Sequence, residues 1–317
     1  MTTQKPLSGK VAVVAGATRG AGRGIARMLG EAGAAVYCAG RSTRATPAPG
    51  RPETIEETAE MVSAHGGEGV PARIDFQDPV QGENLFDRVR RERGRLDVLV
   101  NDIWGGEDAV EWGKPFWELD MGKGLPMLAN ALHTHVIASR YAAPLLIGTG
   151  GGLIVEITDG DGFGYRGNYL YDLAKSAVIR MAYGQGYELR RKGVAAVALT
   201  PGFLRSEAML ERFGVTEADW RTGVAKDPHF AASETPCFVG RAVVALATDP
   251  RRMEKSGRVF SSWGLSEEYG FTDLDGSKPH WGRYWEKAFG RPLRPMDPAF
   301  YAYGADAPIA AVDPDWP

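Results

Sequence analysis

Tyr171 and Lys175 are the residues whose types and spacing first suggest chemistry in this 317-residue chain. They lie four positions apart at the start of an apolar run with helical spacing, which places both on one face of a helix. A phenol beside an ammonium group can give or take a proton, because the cation stabilises the phenolate. Such a pair also arises often by chance, so other features of the sequence must support it.

A glycine-rich turn near the N-terminus indicates a second function, the binding of a dinucleotide. The apolar run at 10–15 leads into a turn of the form G-x-x-x-G-x-G and then into a run with helical spacing. Glycines let the backbone turn tightly and approach a pyrophosphate, whose charge is favoured at a helix N-terminus. The predicted cofactor contacts in this turn are Gly16, Thr18, Arg19, Gly20 and Gly22.

The end of the second predicted strand indicates which dinucleotide binds. It reads AGRS, without the acidic residue that would hold the ribose hydroxyls of NAD(H). Arg41 can instead bind a 2′-phosphate with its forked guanidinium, next to Ser42, and Arg19 would approach the same phosphate. Arg44 is a third candidate in the following loop. The pattern therefore favours NADP(H) over NAD(H).

Strands and helices alternate along most of the chain, and this alternation must position the two motifs. Apolar strands are predicted at 10–15, 34–39, 70–74, 96–100, 153–158, 194–200 and 259–262. Near-continuous apolar strands separated by helices predict an α/β fold, a doubly wound, Rossmann-type parallel sheet of six to seven strands with helices on both faces. The two longest predicted helices cover about 128–147 and 169–191.

The same residues carry a resemblance to a known family. Over about residues 8–263 the sequence resembles the short-chain dehydrogenase/reductase family, whose motifs it matches in the usual order, with a serine where a threonine is usual in the last of them. The matching residues are Gly16, Gly20, Gly22, Asp75, Phe76, Asn101, Tyr171, Lys175, Pro201, Gly202 and Ser206.

The resemblance implies roles for these residues. Tyr171 would be the general acid/base, and Lys175 would lower its pKa toward neutral and also bind the nicotinamide ribose. Asp75 would hold the adenine amino group with Phe76 beside the ring, and the turn at 201–202 would border the nicotinamide. The implied function is NADP(H)-dependent hydride transfer between nicotinamide and a small-molecule carbonyl or secondary alcohol.

The position of the family's active serine differs in this sequence. Counting thirteen residues back from Tyr171 gives Thr158, whose hydroxyl could replace serine, whereas aligning the strand itself gives Asp159. A carboxylate would be a poor donor to a developing oxyanion unless it were protonated. We therefore expect Thr158 to be the auxiliary hydrogen-bond donor.

Two further departures concern the surroundings of the nicotinamide. Asn101 is followed by Asp102-Ile-Trp104 in place of Asn-Ala-Gly, which puts an indole near the pocket. The family often has an asparagine early in the long helix, where it organises a water chain behind the lysine. Asn130 is near this position, but the spacing favours Ala131, so the proton relay is expected to be altered.

The alternation of elements also predicts the domain organisation. We expect one dinucleotide-binding domain at 1–263, and the family resemblance implies a substrate lid at about 203–232. The tail at 264–317 is rich in aromatic residues, Pro, Gly and Asp, including Phe300 and Tyr301, and this composition argues against free disorder. We expect the tail to pack on the main domain or on a neighbouring subunit.

The amino-acid composition limits the kinds of partner that we expect. The net charge of −3 gives no support for a nucleic-acid or anionic-membrane partner, and no segment approaches a membrane span or a signal-peptide core. Two cysteines form neither a disulfide framework nor a metal-ligand pattern, which suits the cytoplasm. His133 and His135 point to different helix faces, so no metal site is expected.

Other functions compete with this interpretation. A sensor or scaffold that keeps the NADP(H) site but has lost turnover is one alternative, motivated by the altered serine and asparagine positions. A Rossmann-type methyltransferase is another, and Arg41 with the Tyr171–Lys175 pair counts against it. The family resemblance also implies a homodimer or homotetramer formed through the two long helices.

Overall fold

The computed structural model of the protein describes residues 5–162 and 164–290, and its strands form one parallel sheet of seven. The spatial order is β3-β2-β1-β4-β5-β6-β7. The strands are β1 (Val11–Ala15), β2 (Ala35–Gly40), β3 (Glu68–Arg73), β4 (Val98–Asn101), β5 (Gly152–Ile157), β6 (Val194–Thr200) and β7 (Val259–Ser261). The predicted doubly wound α/β fold is confirmed.

Helices cover both faces of this sheet. They are α1 (Gly20–Glu31), α2 (Ile55–Ala64), α3 (Pro79–Arg93), α4 (Met121–Gly148), α5 (Tyr169–Leu189), α6 (Glu207–Phe213), α7 (Pro236–Thr248), α8 (Ser262–Tyr269) and α9 (Trp281–Phe289). The long helix α4 begins earlier than the predicted residue 128, because the Asp120 carboxylate accepts a hydrogen bond from the Gly122 N–H and caps it. In the part of the chain that the structure describes, no helix is long and apolar enough to cross a bilayer.

Side chains of β1 show how the sheet is buried on both faces. Val11 and Val13 belong to a core with residues of α3 and α4, whereas Ala12 and Val14 belong to a core with residues of α1 and α7. Successive side chains of a strand point to opposite faces, so a strand buried on both faces must be apolar throughout. This is why the strands appear as continuous apolar runs in the sequence.

Two helices, α8 and α9, follow β7, and the alternation of strands and helices did not indicate them. α8 follows β7 directly, and α9 comes after a short connection. The predicted domain boundary at 263 stays a prediction, and Phe300 and Tyr301 lie outside the described residues.

Gly24 sets how closely α1 approaches α7. A Cβ at Gly24 would lie 2.2 Å from the Pro236 carbonyl carbon, so we expect Gly24→Ala to destabilise the fold by about 1–3 kcal/mol, although Ala is the better helix former. Urea unfolding measures the change. The control is Gly184→Ala in α5, where a Cβ meets nothing within 4 Å; it should stabilise the fold by up to about 1 kcal/mol. Equal effects of the two substitutions would contradict this account of the packing.

Candidate active site

A cavity of about 690 Å³ lies at the carboxyl edge of the sheet and extends from the glycine turn to α5. Parallel doubly wound sheets bind ligands at this edge, at the point where the order of the strands in the sheet reverses. Here that point lies between β1 and β4. Every predicted site residue except Gly22 and Asn101 lines it: Gly16, Thr18, Arg19, Gly20, Arg41, Ser42, Asp75, Phe76, Thr158, Tyr171, Lys175, Pro201, Gly202 and Ser206.

The glycine turn packs directly against the end of β4. Gly16 has a φ of +93°, and a Cβ there would lie 2.4 Å from the Asp102 carbonyl oxygen, so only glycine fits. Two carboxylates accept hydrogen bonds from the first turn of α1: Glu207 Oε2 from the Gly20 N–H at 2.7 Å and Asp102 Oδ2 from the Gly22 N–H at 2.5 Å. The N-terminus of α1 thus stabilises negative charge, as expected of a phosphate site.

The predicted phosphate-binding arginines lie in different surroundings. Arg41 is 60% exposed, and its Nη1 lies 3.9 Å from Asp75 Oδ2, so the residues expected near the ribose and the adenine are neighbours. Arg44 forms two hydrogen bonds to Glu60, at 2.8 and 2.6 Å, and does not line the cavity. Arg41 is therefore the better placed of the two for a 2′-phosphate.

Tyr171 lies among aromatic rings and one carboxylate. Its hydroxyl donates a hydrogen bond to Asp159 Oδ2 at 2.8 Å, and the rings of Trp104 and Trp112 contact it edge-on, each with 5.4 Å between centroids. Burial, and then the negative charge of Asp159, raise the pKa of Tyr171 well above its ordinary value. Burial and Asp159 thus have the largest effects on the pKa of Tyr171, and the role expected of Lys175 in lowering this pKa stays a prediction.

Lys175 lies half-buried beside the tyrosine. Its Nζ lies 4.1 Å from the centroid of the Trp104 ring and 5.7 Å from that of Tyr171, which are cation–π distances. Burial lowers the pKa of Lys175, and the charges of Asp159 and Asp102 oppose this effect. The lysine is thus positioned to balance acidic groups as well as to face the phenol.

The structure separates the two candidates for the serine position. The Thr158 hydroxyl donates to the main-chain oxygen of Lys175 at 2.7 Å and so fixes α5 to the end of β5. Asp159, and not Thr158, contacts the Tyr171 hydroxyl. Asp159, which we did not expect in this role, therefore has the geometry expected of the family's serine.

Comparison with known proteins identifies the family. The family model for short chain dehydrogenases matches residues 10–214. The chain belongs to the short-chain dehydrogenase/reductase family. It is 38% identical over 276 residues to dehydrogenase/reductase SDR family member 1 of Mus musculus, covering 86% of this chain and 85% of that protein.

More distant relatives agree with this assignment. A 7alpha-hydroxysteroid dehydrogenase of Clostridium sardiniense is 29% identical over 208 residues, which cover 65% of this chain and 75% of that protein. The crystal structure of a short chain dehydrogenase from Mycobacterium thermoresistibile has a TM-score of 0.72 at 23% identity, covering 87% of this chain and 92% of that one, and supports the fold. Hydride-transferring oxidoreductases that use a nicotinamide dinucleotide make up this family.

Asn101 of this short-chain dehydrogenase/reductase faces away from the cavity. Its Nδ2 donates to Glu156 Oε1 at 2.9 Å, and the other oxygen of Glu156 lies 2.7 Å from His135 Nδ1. His135 Nε2 lies 3.1 Å from the Ile103 carbonyl oxygen, which only accepts, so Nε2 is the donor of that hydrogen bond. This buried cluster fixes the segment that presents Trp104.

His135 thus forms a buried pair with Glu156, and His133 is not part of this pair. Across residues 5–162 and 164–290, no three His, Cys, Asp or Glu side chains are grouped as metal ligands would be. Asn130, rather than Ala131, lines the cavity, where it donates to the main-chain oxygen of Trp104 and accepts from Gln77 at 3.1 Å. Asn130 therefore positions the indole.

Aromatic residues of α9 form the far wall of the cavity, which sequence reasoning did not find. Trp281, Trp285 and Phe289 line it, and Phe203 of the predicted lid contacts Trp281 edge-on at 5.9 Å between centroids. The spacing of four residues along 281–289 was the available signal, because it places the three rings on one helix face. The short length of α9 made this signal weak.

Glu234 supports the turn that carries Pro201 and Gly202. Its Oε2 accepts hydrogen bonds from the Gly202 N–H at 2.9 Å and from the Ser262 hydroxyl at 2.6 Å. The side chain is fully buried, and this burial raises the pKa of Glu234 from 4.5 to about 8. The same cause raises the pKa of Asp102 to about 7.

The raised pKa of Glu234 predicts a pH-dependent stability. Between pH 4.5 and about 8 the folded protein keeps a proton that the unfolded chain releases, so stability is lost as pH rises, by up to about 1.4 kcal/mol per pH unit. Glu234→Gln imitates the protonated carboxyl and should reduce this slope. Urea unfolding at pH 5.5, 7 and 8.5 tests it, with exposed Glu118→Gln as the control. An unchanged slope in Glu234→Gln would show that this carboxyl does not carry the effect.

Proposed function

We propose that this protein is an NADP(H)-dependent oxidoreductase acting on a small-molecule carbonyl or secondary alcohol, with Tyr171 as general acid/base. The observation that carries the proposal is that Tyr171, Lys175 and the glycine turn line one cavity. A bound nicotinamide supplies or accepts the hydride. Tyr171 then has to give a proton to the carbonyl oxygen, or take it from the alcohol.

The residues around the cavity fit a phosphorylated dinucleotide. Gly20 lines the cavity at the N-terminus of α1, so a pyrophosphate bound there would compete with Glu207 for the Gly20 N–H. Arg41 and Arg19 would hold the 2′-phosphate beside Ser42, while Asp75 and Phe76 would hold the adenine. The nicotinamide end would contact Lys175, Pro201, Gly202 and Ser206, all of which line the cavity.

The substrate, cellular location and assembly are parts of the same proposal. The alcohol group named for the hydroxysteroid dehydrogenase relative supports a CH–OH or C=O group as the reacting centre. Both cysteines are free and buried, which suits the cytoplasm. We expect a homodimer or homotetramer through α4 and α5, as in the family.

One observation favours the alternative of a catalytically impaired NADP(H)-binding sensor or scaffold. Asp159 holds the Tyr171 hydroxyl and disfavours its ionisation, which works against a phenolate base. The two functions differ in whether Tyr171 supports turnover. A sensor binds the dinucleotide without consuming it.

Turnover with and without the phenol tests the function. We expect the protein to consume NADPH with at least one compound in a panel of aldehydes, ketones and quinones, and Tyr171→Phe to lower kcat about 100-fold or more while still binding NADPH. Tyr169→Phe is the matched control, because Tyr169 is a half-exposed phenol on the same helix that does not line the cavity. Turnover that survives in Tyr171→Phe would refute the role of Tyr171, and tight NADPH binding without turnover of any compound would favour the sensor.

Removing the guanidinium tests cofactor choice. Arg41→Ala should weaken NADPH binding about tenfold or more, because charge-assisted hydrogen bonds to the 2′-phosphate are lost, and leave NADH binding within twofold. Fluorescence titration gives both Kd values. Arg44→Ala, whose guanidinium is paired with Glu60, should change neither. Equal weakening of NADH and NADPH in Arg41→Ala would refute the specificity role.

A further inference from the structure

We propose that Asp159 is the proton acceptor of the active site in alcohol oxidation, taking the proton of Tyr171 while Tyr171 takes that of the substrate hydroxyl. The inference rests on the proposed function and adds a second proton carrier to it. Asp159 lies two residues after the end of β5 and lines the cavity together with Tyr171. Asp159 therefore faces the cavity in which Tyr171 would meet the substrate.

The hydrogen bond between the two side chains sets the direction of proton transfer. The distance from Tyr171 Oη to Asp159 Oδ2 is 2.8 Å. An ionised carboxylate only accepts hydrogen bonds, so the phenol must donate, and its own lone pairs remain available to the substrate hydroxyl. One proton can thus arrive at Oη as another leaves along a bond that already exists.

The alternative of storing the charge on the phenol is unfavourable here. A phenolate at Tyr171 would place two negative charges 2.8 Å apart in a buried site. Burial and the charge of Asp159 both raise the pKa of Tyr171. Tyr171 is therefore suited to relay a proton, and the Asp159 carboxylate is suited to accept it.

Charged groups surround Asp159 from several elements. Tyr171, Lys175 and Asp161 interact directly with Asp159, whereas Asp102 and Glu107, from the segment after β4, act on Lys175. Arg166 donates through Nε to the main-chain oxygen of Asp159 and pairs with Asp172 at 2.8 Å. Two cations, Lys175 and Arg166, thus lie among the acidic groups of this site.

The step balances as follows in oxidation. The substrate O–H bond breaks and its hydrogen joins Tyr171 Oη, while the Tyr171 O–H bond breaks and its proton joins Asp159 Oδ2. The electron pair of the substrate C–H bond would leave with its hydrogen as hydride to a bound oxidised nicotinamide, and C=O would form. Solvent in the open cavity then takes the proton from Asp159. Reduction runs in reverse and starts from protonated Asp159.

Two substitutions test this role. Asp159→Asn keeps an acceptor for the Tyr171 hydroxyl but cannot take its proton, and Asp159→Ser introduces the residue that the family usually has. Asp161→Asn is the matched control, because it removes the same charge from the same loop and its carboxylate bonds to Ser261 instead of Tyr171. Circular dichroism shows which variants fold, and either Asp159 variant is sufficient for the test.

The first readout needs no turnover. The ultraviolet absorbance of phenolate is titrated with pH in each protein, and the same titration in the matching Tyr171→Phe protein is subtracted to isolate Tyr171. Both Asp159 variants should lower the ionisation midpoint of Tyr171 below that of the wild type, and Asp161→Asn should leave it nearer the wild type. Midpoints that do not move in the Asp159 variants would overturn the inference.

The second readout is the pH profile of alcohol oxidation, with the alcohol of the best ketone or aldehyde in the panel and NADP⁺. Asp159→Asn should lower kcat about 100-fold at neutral pH and recover as pH rises toward the lowered ionisation of Tyr171. A wild-type kcat and pH profile in Asp159→Asn, together with an inactive Tyr171→Phe, would refute the inference and leave the proposed function intact. Activity of Tyr171→Phe would instead refute the proposed role of Tyr171.

Discussion

The parallel pairing of β1 with β4 is the constraint on which the site depends. The connections leave these two strands in opposite directions, and so the covering helices leave a crevice beyond their carboxyl ends. Gly16 packs against the end of β4 beside that crevice. Because it has no Cβ, the glycine turn can contact the carbonyl of Asp102. This contact positions the N-terminus of α1, the end of β4 and the cavity.

Acidic side chains distinguish the reaction centre. Asp159 accepts the hydrogen bond of the phenol, and the charge of Asp102 acts on Lys175. Charges in a poorly solvated site interact strongly, so Lys175 interacts with Asp159 and Asp102 as well as with the phenol. The chemistry of the tyrosine is thereby tied to a neighbouring acid.

The tail of the described chain belongs to the site. Gly202 lies between Glu234 and Trp281, and a Cβ there would be 2.9 Å from the Glu234 carboxylate and 3.0 Å from the Trp281 Cβ. The turn that is expected to border the nicotinamide therefore packs directly on α9. The same helix supplies an aromatic wall for the substrate end of the cavity.

The sequence by itself determined the order of strands and helices, the glycine turn and the Tyr171–Lys175 pair, because local periodicity and short spacings encode all three. Only the tertiary structure decided between Thr158 and Asp159: successive residues of an extended chain point to opposite sides, so a one-residue uncertainty reverses which side chain reaches the phenol. It also decided that Asn101 faces the buried His135–Glu156 pair and that α9 closes the cavity. These outcomes depend on contacts between residues far apart in the chain, which no local pattern records.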